Sequence, residues 1–453
     1  MAAFKKLFIT IPALAAVAGL LLLGGVIFNG TVSAFSSHSS RATGVDRANA
    51  AAAASMFAQG RNVFRFDTFG DEAYWGGVLG LHKAIEGAAN GGVGAGVSPK
   101  LALKLGLKVD AAAIPKPLAA QIKAGKVNLN DPKTTLALLK LNAVVGVKGF
   151  FNADGTLSSI GLTCAVCHST VDDSFAPGIG KRLDGWPNQD LNTGAIVSVA
   201  PNLQPVAQLL GVTVPKLKKV LLSWGPGKFD AEVFLDGKAF QPNGRSGATR
   251  IPAAFGLAGH NLHTWEGGWG TVTYWNAFVA NLELHGQGKF FDPRLDNRRK
   301  FPIAAKNRFG HKNDAVDKVS AGLPALQFYQ LALPAPRPPK GSFDPAAAAR
   351  GKQLFTGPAK CANCHVLPET TEPGWNEHPP SQICTDAFQA NRGPDGTYRT
   401  ASLKGMFARS KRGFYHDGRF PTLTAVVNHY NSCFHLHLTA QQRSDLVQYL
   451  KSQ

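Results

Sequence analysis

Apolar positions recur along this chain at helical spacing, in short phrases cut off by glycine or proline. An uncharged apolar run extends from Leu7 to Phe28, and a Ser- and Ala-rich stretch over 35–60 reads as an unstructured or loosely helical lead-in. The phrase Trp75, Leu79, Ile85 then predicts the first real helix, within Phe64–Glu86. Beyond a glycine-rich break at Gly91–Gly96, short helices are expected over Leu101–Leu107, Pro115–Ala124, Thr134–Val147 and Val214–Ser223. Two more follow at Ala346–Phe355 and Ala440–Leu450, the last packing through Leu446, Val447 and Leu450. No segment alternates long enough to suggest a large sheet, so the expected fold class is mostly α.

The ends and joints of this pattern suggest an order of parts. Lys5 and Lys6 before the apolar run, with Val32-Ser33-Ala34 behind it, make 1–34 an export signal with a small-residue cleavage site. The alternative is an uncleaved anchor, since the run is long enough to span a bilayer. Pro334–Pro345 is a proline-rich connector. It divides an N-terminal domain (61–333) from a smaller C-terminal one (346–453). Between Trp224 and Asn297 the chain is dense in aromatics, among them Trp265, Trp269, Tyr274, Trp275, Phe278, Phe290 and Phe291. Core packing accounts for most large aromatics; this density also fits a cofactor pocket or an apolar channel.

With 453 residues the chain has room for two or three domains at roughly 100–200 residues each. Its formal charge is +19, yet no basic helix or recognition motif accompanies it, so nucleic acid is not an expected partner. A solvated basic surface, or steering toward an acidic redox partner, accounts for the excess.

Cysteine placement changes the picture most. Four of the six cysteines fall in two C-x-x-C-H pentapeptides, Cys164-Ala165-Val166-Cys167-His168 and Cys361-Ala362-Asn363-Cys364-His365. This is the attachment pattern of a c-type haem: two thiols add to the haem vinyl groups, and the adjacent histidine binds iron. A zinc site needs more thiolates or histidines at ligand spacing. A thioredoxin-like dithiol needs a βαβ context that is absent. Two covalently bound c-type haems are therefore expected, with His168 and His365 as proximal ligands. Haem attached outside the cytoplasm agrees with an export signal and a periplasmic or secreted location. Cys384 and Cys433 remain, available for one disulfide in an oxidising compartment.

The opposite face of each iron decides function, because a second strong ligand makes an electron carrier and an open position admits peroxide or dioxygen. Near the second motif the candidates are Met406, His416, His429, Tyr430, His435 and His437. Asp417, next to His416, is placed to orient its imidazole. For the first haem, His260 and His263 would supply the distal ligand if the protein were a pure electron carrier.

Three phrases in the C-terminal part carry a resemblance. Thr397-Tyr398-Arg399-Thr400-Ala401-Ser402-Leu403-Lys404-Gly405, Phe414-Tyr415-His416-Asp417-Gly418 and Val426-Val427-Asn428-His429-Tyr430 resemble the signature of the bacterial dihaem cytochrome c peroxidase and MauG superfamily. In that superfamily the distal ligand of the second haem lies fourteen residues beyond the H-D-G histidine, as Met in peroxidases and Tyr in MauG. That position here is Tyr430. Phe69-Gly70-Asp71-Glu72, the wide gap between motifs, Tyr274-Trp275 and Phe290-Phe291 are similar to the rubber oxygenase branch, which cleaves polyisoprene with dioxygen. That resemblance implies an oxygen-binding N-terminal haem beside Trp275 and Phe290, and a bis-His C-terminal haem ligated by His365 and His416. The chain is shorter than members of that branch, chiefly after the second haem.

The leading expectation is an oxidoreductase with oxygen chemistry at the His168 haem, on a hydrophobic small molecule or polymer such as an unsaturated hydrocarbon, and an electron-storing His365 haem. The rival is hydrogen peroxide reduction, which needs a general acid–base, with Glu232, Glu266 and Glu283 as the available carboxylates. A third reading is a non-enzymatic electron carrier. Trp186, Trp224 or Trp265 would then be candidates to bridge electron flow between haems.

Overall fold

The computed structural model describes residues 43–453. The expected export segment 1–34, and the start of the lead-in, lie outside the described residues. One unit ends at Asn49 and a second runs from Ala50 to Gln453. Among the described residues no helix is long and apolar enough to cross a membrane.

The fold is mostly helical, as the apolar phrasing predicts, and among the described residues the strands form only two-stranded sheets. Most helix positions agree with expectation: Pro99–Lys104, Lys116–Lys123, Val214–Trp224, Pro345–Thr356 and Ala440–Lys451. Their starts follow capping chemistry. Ser98, Thr213, Asp344 and Thr439 each accept a hydrogen bond from a backbone N–H of the first turn, and Thr439 with Gln442 completes a reciprocal capping box.

The expected first helix is corrected. Helix begins at Gly44 and ends at Phe66, so most of the lead-in is helical, as its alanine content favours. The stretch after it breaks into a turn at Phe69-Gly70, a π-helix at Ala73–Val78 and a short α-helix at Leu81–Glu86. A Cβ at Gly76 would lie 1.7 Å from Ser159 Oγ, so this glycine lets the π-helix press onto the neighbouring strand. The helix expected over Thr134–Val147 stops at Lys140. Asn142 turns left-handed, and the valine-rich stretch behind it enters a strand, Val147–Phe151, paired with Leu157–Leu162.

Two apolar cores matter for the site. One gathers Trp75, Val147, Ile160, Val166, Leu221 and Trp224 beneath the first C-x-x-C-H. The other gathers Phe355, Val427, Leu446, Val447 and Leu450 beside the second. There the helices Pro345–Thr356 and Ala440–Lys451 cross closely. A Cβ at Gly351 would sit 2.1 Å from the Asp445 carbonyl oxygen, and Arg350 clasps the Asp445 carboxylate at 2.8 and 2.9 Å. The Cys384–Cys433 disulfide is present, closing a loop with a sequence separation of 49.

Candidate functional site

Each C-x-x-C-H sequence stands at the wall of its own cavity. The first cavity, about 220 Å³, is walled by Cys164, Cys167 and His168, and the second, about 250 Å³, by Cys361, Cys364 and His365. In both, the histidine is pinned in the same way. His168 Nδ1 donates to the Pro252 carbonyl at 3.1 Å, and His365 Nδ1 donates to the Thr370 carbonyl at 2.9 Å. A carbonyl only accepts, so the proton is fixed on Nδ1 and each Nε2 keeps its lone pair for a metal. Burial pushes His168 down to about 4 and lowers His365 as well, which holds both imidazoles neutral at physiological pH. The four motif cysteines stay out of disulfides, while Cys384 and Cys433 are joined.

The polar walls also fit a haem. Arg250, Arg399 and Arg409 all line the second cavity. Burial lowers their pKa values, to about 10, 10 and 9, and Arg409 is lowered further by the other two. The Nε atoms of Arg250 and Arg409 are buried without a partner. Three guanidiniums repelling one another in a low-dielectric wall call for anions, and haem propionates are anions of the right kind. Arg250 and Trp265 line both cavities, and Trp265 Nε1 donates to the Arg250 carbonyl at 2.8 Å. A single wall therefore serves both.

Around the second cavity the structure brings together Met406, His416 and Tyr430 with His365. His416 stacks on Tyr398, with ring centroids 5.1 Å apart. Asp417 does not orient it. Arg419, two residues on, and Arg245 occupy the Asp417 carboxylate. Asp386 takes that place, with its Oδ2 at 3.3 Å from His416 Nε2 but outside hydrogen-bond geometry. Tyr430 stacks on Phe434, and burial raises its phenol. His429, His435 and His437 are not part of this wall.

The first cavity departs more from expectation. Trp275 lines it, but Phe290 does not. Phe290 lies on the strand Lys289–Phe291, whose alternation turns it into an aromatic cluster against Tyr274 and Phe278 and leaves Phe291 exposed. His260 and His263 are absent from this wall as well; Arg399 acts on both. Trp224 lines the first cavity, whereas Trp186 packs between Phe255 and Phe407.

All three carboxylates weighed for acid–base work, Glu232, Glu266 and Glu283, line the first cavity. Glu266 Oε1 and Glu283 Oε2 are buried without hydrogen-bond partners. Burial, reinforced by the charge of Glu232, pushes Glu266 up to about 8 and Glu283 well above the usual carboxylate range. Burial thus favours the protonated form of both, the form able to donate a proton.

One residue escaped sequence reasoning. His285 lines the first cavity, stacked on Tyr74 at 3.7 Å between centroids, with φ of 62°. It follows a second π-helix, Val279–Glu283, and Trp75 Nε1 from the first π-helix donates to the Leu284 carbonyl at 3.0 Å. Two π-helices, which occur mostly at functional sites, thus supply one wall. A lone histidine in an aromatic stretch carried no signal of that geometry.

No protein-family model matches this chain, and no curated protein matches it. Among solved structures, the hydrazine synthase of Kuenenia stuttgartiensis is similar over 46% of this chain and 72% of its own, at 18% identity and a TM-score of 0.27. A MauG-like protein associated with microbial copper homeostasis is similar over 47% of this chain and 75% of its own, at 16% identity and a TM-score of 0.29. Likeness at that level defines no family for this chain.

Proposed function

We propose that this chain is an exported dihaem c-type oxidoreductase of the periplasm or cell exterior that reduces hydrogen peroxide at its first haem. Cys164 and Cys167 would hold that haem through thioether bonds and His168 through iron; Cys361, Cys364 and His365 would hold the second in the C-terminal domain, 346–453. Bound haem supplies one-electron chemistry at iron. The surrounding residues set what that chemistry is used for.

The observation that carries the reading is the placement of Glu232, Glu266 and Glu283 in the wall of the first cavity. Breaking an O–O bond heterolytically needs a proton at the leaving oxygen, and a positioned acid contributes typically 10²–10⁴-fold. Glu283, buried and protonated, holds such a proton where bulk water does not compete. His365, with His416, Tyr430 or Met406 from the same wall, would hold the second haem, which would supply electron storage. Trp265, which lines both cavities, would bridge electron flow between them, and an acidic redox protein would be the matching donor for a basic surface.

A second reading keeps oxygen chemistry at the first haem on a hydrophobic, unsaturated substrate. The apolar remainder of the same cavity, including Trp75, Trp224 and Trp275, favours it. Purified holoprotein separates the readings. Peroxide-dependent oxidation of a reduced cytochrome, abolished in Glu283→Gln, supports the first. Oxygen uptake with an unsaturated hydrocarbon and no peroxide turnover supports the second. Two low-spin, six-coordinate haems inert to both would leave only an electron carrier.

A further inference from the structure

A third cavity, about 500 Å³, lies apart from both C-x-x-C-H walls. Trp269, Tyr274 and Trp375 supply its aromatic surface, and Arg294, Glu377 and Asp395 its charges. Trp375 is 67% exposed, an unusual position for a tryptophan without a partner to cover it.

The charges do not cancel. Arg294 is already spoken for: its Nε and Nη2 clasp the Asp292 carboxylate at 2.9–3.1 Å, and Nη1 donates to the Gly268 carbonyl at 2.6 Å. Its planar group lies over the Trp269 and Tyr274 rings, 5.7 and 5.0 Å from their centroids. Glu377 Oε2 accepts from the Thr397 hydroxyl, but Oε1 is buried with no partner. Asp395 makes no ion pair among the described residues; Lys300, the nearest cation acting on it, spends its ammonium on the Pro394 carbonyl at 2.6 Å. Burial and the Asp395 charge together raise Glu377, so the two carboxylates repel each other.

The loop between them is shaped for this approach. A Cβ on Gly267 would lie 2.5 Å from Glu377 Oε1, and one on Gly268 would lie 2.7 Å from Asp395 Oδ2. Two successive glycines let both carboxylates close on the loop. On a protein of formal charge +19, this is a locally anionic, aromatic-walled hollow. Arg294 already lies over the Trp269 and Tyr274 rings, so the exposed Trp375 is the aromatic surface left open beside the uncompensated carboxylates; such a pairing attracts cations that also carry apolar surface, as aromatic cages do for quaternary ammonium groups.

We infer that this cavity binds an organic ammonium ion, with Glu377 and Asp395 balancing its charge and Trp375 closing over its alkyl surface. Trp269, fully buried in the cavity wall, has its ring centroid 6.2 Å from that of Trp275 in the wall of the first cavity. The inference does not depend on peroxide or oxygen chemistry.

Calorimetric titration of the holoprotein tests it with choline and with its neutral isostere, 3,3-dimethylbutan-1-ol. Choline binding at least about tenfold tighter than the isostere, weakened about tenfold or more in Trp375→Ala and in the double variant Glu377→Gln/Asp395→Asn, is the expected result. Unchanged visible haem spectra in the variants establish that they are folded. No heat with choline, equal affinity for the isostere, or variants that bind as the parent does would each overturn the assignment.

Discussion

Arg392 offers the most demanding test of how the first cavity is held together. Its side chain is fully buried, as are those of its two partners. Nη2 reaches Asp230 Oδ1 at 2.7 Å, Nε reaches Asp236 Oδ2 at 2.9 Å, and Nη2 also reaches Asp236 Oδ1 at 3.1 Å. Asp230 in turn accepts from Val233 N at 3.0 Å and caps the short helix Val233–Asp236, whose N-cap residue is Glu232. One guanidinium from the C-terminal half thus fixes the segment that brings Glu232 to the cavity. Replacing Arg392 by Met keeps the volume and removes the charge, leaving two carboxylates buried and unpaired. Breaking a buried pair from one side costs about 3–5 kcal/mol. For a unit running from Ala50 to Gln453, a 4 kcal/mol loss is a fall in Tm of about 5 °C. Calorimetric melting of holoprotein at pH 8 is the assay.

The pH dependence sharpens this test. Even with Arg392 present, burial raises Asp230 to about 7. A folded pKa above the unfolded value means that the folded state holds the extra proton, so stability falls as pH rises through that range. Without Arg392 the folded value of Asp230 rises further, and the variant's deficit should shrink at pH 5 as that carboxylate takes a proton. Asp230→Asn with Asp236→Asn should restore much of the loss. A variant within about 1 kcal/mol of the parent at pH 8 would show that the carboxylates are not charged in the intact protein, and the clamp argument would fail.

Three further outcomes are expected. Glu283→Gln should lower kcat/KM for peroxide by about 10²–10⁴-fold while leaving cyanide binding to the first haem unchanged, measured by stopped-flow turnover and spectral titration; equal loss of cyanide affinity would mean a damaged pocket rather than a missing acid. Stability of the parent in urea should decline between pH 7 and 8.5, since Glu266 and Asp71, raised by burial to about 8 and 9, lose protons there in the folded state only at a cost, and a rising trend would contradict their burial. Replacing Cys384 and Cys433 by Ser should cost about 4 kcal/mol in the chain-entropy account of a loop with a sequence separation of 49; urea midpoints measure it, and a change below 1 kcal/mol would place the stabilisation elsewhere.

The parts legible in the sequence were those with short-range signatures. C-x-x-C-H is local, and so is the helical spacing of apolar residues; the helix at Val214–Trp224 was readable for that reason. Mostly helical architecture followed from periodicity. What escaped depends on backbone detail or on distance. Phe290 and Phe291 are equivalent as letters, and only the strand Lys289–Phe291 decides which one turns inward. Asp417 sits beside His416 in sequence, yet Arg419 and Arg245 claim it, and Asp386 replaces it from thirty residues earlier. The convergence of Glu232, Glu266 and Glu283 on one wall is set by segments whose sequence order says nothing about their spacing. His285 needed a left-handed backbone after a π-helix, and neither leaves a residue pattern.

Arg250 and Trp265 belong to both cavities at once. A residue with a single neighbour can be exchanged whenever that neighbour adapts. These two answer to a pair of centres, and a substitution that suits one must also suit the other. Their freedom to vary is the intersection of two sets of tolerances, narrower than either alone. The same sharing denies the experimenter a clean perturbation: with haem in both cavities, as proposed, any change at this wall would be written into the spectra of both, and neither could be retuned there in private.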